Sequence, residues 1–108
     1  METHNLLPQE LRARLPQIGA TAEQENPLVL AKFFFPDFHW TWYAIEFDGI
    51  DTFYGYVDGD FPELGYFSLR ELRETRGALG CAVERDLHFQ DTPLHVLQLK
   101  AEVRRIFE

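Results

Sequence analysis

The chain has 108 residues, 45% hydrophobic and 15% aromatic, and a formal charge of −8 from 18 acids and 10 bases. That length is one domain's worth and supports a core without staples, while the aromatic content excludes a disordered chain. The acidic balance argues against direct duplex nucleic-acid binding, which needs a basic patch to displace counterions from phosphate. A single cysteine, Cys81, excludes an intrachain disulfide and a cysteine-built zinc site. The opening Met1-Glu2-Thr3-His4-Asn5 lacks the basic-then-apolar pattern of a signal peptide. The longest apolar run, 28–35, is interrupted by Lys32 and is too short to span a bilayer. The expectation is a single cytoplasmic domain over 1–108, with no membrane contact and no cofactor.

Leu7, Leu11 and Leu15 recur every four residues and predict a short helix with one apolar stripe. Pro8 suits its first turn, Asn5 is a candidate cap, and Pro16 ends it. Residues 16–27 read as a loop, with Thr21 and Gln24 in capping-box spacing and Asn26-Pro27 as a breaker. Leu28 to Phe35 reads as a buried strand. Trp40 to Phe47 and Thr52 to Val57 form a hairpin around Asp48-Gly49. Leu64 to Phe67 is a shorter strand. Ser68 and Glu71 make a capping box that starts a second helix. Val83 to Phe89 is read as a last strand. Thr92-Pro93 opens a C-terminal helix with Val96, Leu99, Val103, Ile106 and Phe107 at helical spacing. The order predicts an α+β fold: an antiparallel sheet of four to five strands with two to three helices packed mainly on one face.

The hairpin is the densest block of rings and carboxylates. A turn at Gly49-Ile50 pairs Tyr43 with Tyr56, Trp42 with Val57 and Phe47 with Thr52. Alternation then sends Trp40, Trp42, Ala44, Phe53, Gly55 and Val57 to one face, expected to lie under helices. Tyr43, Ile45, Phe47, Tyr54, Tyr56 and Asp58 go to the other, expected to face water. Tyrosine gives contact area at low entropic cost, so Trp40, Tyr43, Tyr54, Tyr56 and Asp58 are the candidate contacts for a protein partner or small ligand. Gly55 is expected to leave room across from Ala44.

Acids crowd the hairpin ends, and Asp48 and Asp51 read as turn formers. Glu84, Asp86 and His88 alternate along the last strand and so share a face, the pattern of weak candidate metal ligands. The competing reading is a charged outer strand. Arg85 points the other way and is expected to pair with Glu46 or Glu63. Cys81, between Gly80 and Ala82, reads as a small hydrophobe rather than a nucleophile.

The short motifs Phe33-Phe34, Trp40-Thr-Trp-Tyr43, Glu46-Phe-Asp-Gly49, Asp51-Thr-Phe53, Gly55-Tyr-Val57, Glu63-Leu-Gly-Tyr-Phe-Ser-Leu69 and Glu84-Arg-Asp-Leu87 stand along the chain. Together they resemble one small bacterial family, domain of unknown function 2958 (DUF2958), often carried on mobile elements. The likeness runs from about Leu6 to Phe89 and leaves out the C-terminal helix. His88 stands where the family pattern carries Tyr. The resemblance implies a compact stand-alone protein and brings no catalytic residues. The leading functional expectation is a non-enzymatic interaction module acting through the tyrosine face. The alternatives are a metal-dependent hydrolase using Glu84, Asp86 and the hairpin acids, and an acidic mimic of nucleic acid.

Overall fold

The computed structural model describes residues 5–107. Helix α1 spans Gln9–Arg14 and buries Leu11, with Leu7 and Leu15 buried just outside its two ends; Pro8 is its extended N-cap rather than part of its first turn. Asn5 caps the approach rather than the helix itself, its Oδ1 accepting from Leu7 N–H at 3.1 Å. The run after Pro27 divides into β1 (Leu28–Val29) and β2 (Ala31–Phe34). The hairpin strands are β3 (Thr41–Phe47) and β4 (Thr52–Asp58), followed by β5 (Pro62–Ser68) and helix α2 (Leu69–Glu74). Then come β6 (Glu84–Arg85), β7 (Thr92–Pro93) and helix α3 (Leu94–Phe107). The main sheet is antiparallel, ordered β5-β4-β3-β2-β6, and a small second sheet pairs β1 with β7. This is an α+β arrangement.

Three local signals act as their chemistry dictates. Asp48 Oδ1 accepts from the N–H groups of Ile50, Asp51 and Thr52 at 2.8, 2.8 and 3.0 Å, closing the hairpin turn with Gly49 at φ +86°. Those three donors hold the Asp48 carboxyl below its ordinary range. Ser68 and Glu71 form the reciprocal capping box of α2. Asp51 links turn and helix, its side chain accepting from Arg70 N–H at 2.9 Å.

The register departs from simple counting at one residue. Thr41 to Ala44 pair with Asp58 to Gly55 as expected, but a bulge at Ile45 shifts the pairing, so Glu46 faces Tyr54 and Phe47 faces Phe53. An inserted residue moves every side chain beyond it to the opposite face. Phe47 thereby leaves the tyrosine face and packs at a tilt against Phe53, with centroids 4.6 Å apart. Gly55 also has a different reason from the one expected. A Cβ there would stand 1.8 Å from the Tyr43 carbonyl oxygen, so it is the neighbouring backbone that comes close.

Each face of the sheet carries a core. One joins Leu11 of α1 and its flanking Leu7 and Leu15 to Phe33, Trp42, Phe47, Phe53 and Leu72. The other joins Tyr43, Ile45 and Tyr56 to Leu94, Leu97 and Ala101 of α3. The C-terminal stripe is therefore not the one the spacing suggested. Leu94, Leu97 and Ala101 pack inward, while Val96, Leu99, Val103, Ile106 and Phe107 lie on the exposed side of α3. The docking of α3 is fixed at its start: Leu94 N–H donates to Pro27 O at 2.9 Å and His95 N–H to Asn26 Oδ1 at 2.8 Å.

Two other expectations fall at the sheet's edge. The predicted strand 83–89 is paired only at Glu84 and Arg85. Arg85 Nε donates to Asn5 O at 3.2 Å. It lies on the edge strand β6, whereas Glu63 is on the opposite edge and Glu46 is held elsewhere. No helix among the described residues is long and apolar enough to cross a membrane.

Candidate functional site

The five candidate contacts are parted among three places. Tyr43 and Tyr56 lie side by side, stacked with centroids 5.9 Å apart, but both are buried beneath α3. Burial, with the Asp58 charge adding to it, pushes the Tyr43 hydroxyl up to about 12 and raises that of Tyr56 as well. Asp58 is buried and ion-paired to Arg104 of α3. The expected water-facing tyrosine surface is thus corrected. A tyrosine-rich face supplies apolar bodies for a helix to cover and, at its end, a carboxylate for that helix's arginine.

Tyr54 remains partly open. Its ring lies 5.2 Å from that of Tyr66, which is 66% exposed. Together they border a hollow of about 400 Å³ whose far wall is the 19–27 loop. Glu46 stands at its base, only 3% exposed. Its carboxylate accepts from Gly19 N–H at 2.8 Å, Thr21 N–H at 2.8 Å and the Thr21 hydroxyl at 2.5 Å. Burial alone would raise this carboxyl, but the donors from Thr21 and Gly19 outweigh it and the net shift is downward. Thr21, expected as a cap, is therefore a ligand of Glu46.

Trp40 points to the opposite face of the sheet. It is half-buried at the mouth of an open groove of about 590 Å³. Phe35, Phe38, Trp40 and Trp42 form one wall, in ring contact at 5.3–5.9 Å. The other wall is β5 with α2, and Glu63, Glu71 and Arg76 stand among its lining. Two close approaches shape the aromatic wall. A Cβ on Gly59 would meet the Trp40 ring at 2.7 Å. Asp37 ties the 35–40 segment to the 77–81 loop, Oδ2 accepting from Leu79 N–H at 2.6 Å and Cys81 N–H at 3.1 Å. Its Oδ1 is buried against Gly77, without a hydrogen-bond partner among the described residues. The face expected to be sealed by helices is thus left open along β5, because α2 has only six residues.

The weak metal candidates are not brought together. Asp86 follows the last paired residue, and its Oδ1 accepts from His88 N–H at 2.9 Å, a turn that ends the alternation on which the shared face depended. Among the described residues no group of three or more His, Cys, Asp or Glu is placed to hold a metal ion. Cys81 is half-buried, and burial together with Asp37 raises its thiol above the ordinary value, which disfavours the thiolate.

Fold and site together define a small α+β protein with both sheet faces cored and an aromatic groove beside a free sheet edge. The chain belongs to the DUF2958 family, described as "Protein of unknown function (DUF2958)", whose model matches residues 6–104. The match runs well into α3, further than the motifs alone carried the resemblance. Comparison with curated proteins and with solved structures finds no match.

Proposed function

We propose that the protein is a non-enzymatic cytoplasmic interaction module that receives a bulky apolar group of a partner protein or small ligand in the groove beside Trp40. Trp40 and Tyr54 stay as contact residues on either side of the sheet, joined by Tyr66. The observation that carries this reading is the groove itself: a concave surface lined by apolar and aromatic residues, with Glu63, Glu71, Thr75 and Arg76 as its polar groups, is the usual form of a binding site, and aromatic residues concentrate in interfaces. A chain with one cysteine, and so without an intrachain disulfide, is in keeping with a cytoplasmic setting.

The test is calorimetric titration with a short peptide of alternating lysine and leucine. Gly65 has open space where a side chain would stand, and it lines the groove. Gly65→Phe should therefore fill the groove without disturbing the fold. Binding to the native chain that is lost in Gly65→Phe and weakened in Trp40→Ala supports the proposal. Equal binding to all three chains contradicts it.

A further inference from the structure

The sheet's free edge runs along the groove. β5 has seven residues and pairs with β4 without a bulge from Pro62 to Ser68, whereas the other edge strand, β6, has two. Shortness is one of the ways a sheet protects an edge, and a long straight edge is a template for a further strand.

The outward polar groups of β5 can be assigned. Leu69 N–H donates to Asp51 O at 2.8 Å, one step beyond the Thr52–Ser68 pair. Hydrogen-bonded pairs alternate along an antiparallel ladder. Phe67, Gly65 and Glu63 therefore bond inward to β4, and Leu64 and Tyr66 turn their N–H and C=O groups outward. Ser68 N–H, also outward, is taken by Glu71 Oε1 at 3.2 Å, and Pro62 has no N–H. The available donors are those of Leu64 and Tyr66, both exposed residues.

The two hollows flank this edge from opposite faces, and Leu64 and Tyr66 border both. A strand laid against β5 would alternate its side chains between them. Carboxylates line both: Glu63 and Glu71 in the larger, Glu25 and Glu46 in the smaller, against Arg76. The whole chain carries −8. A second copy would bring the same charge, so charge complementarity favours a basic partner.

We infer that β5 accepts an extended, basic segment of a partner protein as an added strand, hydrogen-bonded to Leu64 and Tyr66, with alternate side chains entering the two hollows. This rests on the groove reading above, since one set of side chains uses the groove; the backbone pairing is a separate claim and is tested separately.

The probe is the lysine–leucine peptide in three forms: unmodified, N-methylated at every lysine, and N-methylated at every leucine. Only alternate N–H groups of an added strand face β5. One methylated form should therefore bind about tenfold or more weakly than the unmodified peptide, and the other should not. A glutamate–leucine counterpart should fail to bind. Leu64→Pro, which removes one outward donor, should weaken binding similarly, and the methylated peptides carry the test if that variant does not fold. Two methylated forms that bind alike, or no binding of the unmodified peptide, would overturn the inference. Methylated forms that bind alike to the native chain but not to Gly65→Phe would overturn the pairing alone and leave the groove reading standing. A concentration-dependent dimer that Leu64→Pro dissolves would assign the edge to a second copy and also overturn it.

Discussion

Replacing Glu46 should unseat the loop that closes one side of the sheet. The carboxylate lies on β3 just past the bulge and is 3% exposed. It holds Gly19 and Thr21 through three hydrogen bonds of 2.8, 2.8 and 2.5 Å. Hydrogen bonds to a charged group contribute about 1.5–3 kcal/mol each, and they do not add fully when they share an acceptor. Glu46→Ala strands all three donors, so the expected loss is about 3–5 kcal/mol. Glu46→Gln keeps one carbonyl acceptor and should cost about 1–2 kcal/mol. The pH dependence has a definite sign. The folded carboxyl is held below its ordinary value of 4.5, so its contribution is whole above that pH and fades as the pH falls toward the depressed folded value. The stability gap between the native chain and Glu46→Gln should therefore narrow on acidification. Urea unfolding followed by tryptophan fluorescence, near neutral pH and again near pH 3, reads both effects. A Glu46→Ala chain within about 0.5 kcal/mol of native at neutral pH would refute the reasoning, as would a gap indifferent to pH.

Other variants test the remaining parts of the account. Leu97→Ala should cost about 2–4 kcal/mol and Leu99→Ala less than about 0.5 in urea unfolding, because only Leu97 faces the sheet. Gly55→Ala drives a Cβ into the Tyr43 carbonyl and should prevent folding, as read by circular dichroism. Gly65→Ala meets nothing and should leave the melting temperature unchanged or slightly raised. An absorbance titration of the tyrosines should show a late component near 12 from Tyr43, shifted to lower pH in Asp58→Asn, which removes a neighbouring negative charge.

Local chemistry was the legible part of the sequence. The Asp48-Gly49 turn and the Ser68–Glu71 capping box each depend on neighbours within a few residues and form as expected, and Leu7, Leu11 and Leu15 are all buried, although the helix between them is shorter than the stripe, with Pro8 and Leu15 extended at its ends. Counting back from the turn also gave the pairs from Thr41 to Ala44 correctly. The count failed at Ile45 because a bulge inserts one residue without breaking the apolar pattern around it. The side chains of α3 offer two interleaved stripes, and the more continuous one, from Val96 to Ile106, is the one left in solvent. Nothing local distinguishes a tyrosine face open to water from one roofed by such a helix, because the same amphipathic rings suit either. The two-residue strands β1 and β7 carry no periodic signal at all. Trp40 was singled out by its place in an aromatic run. The groove it borders was not legible, since it exists only where a short α2 stops covering β5.

The central claim is that the groove beside Trp40 is a binding surface. Trp40 and Trp42 are the chain's two tryptophans and both line the groove, so 5-fluorotryptophan labelling places both fluorine signals there. Titration with indole and with N-acetyl-leucine amide should move the Trp40 signal, assigned by its absence in Trp40→Ala, and the shift should vanish in Gly65→Phe. Signals that stay still at saturating probe, or that move equally in the filled variant, would contradict the account.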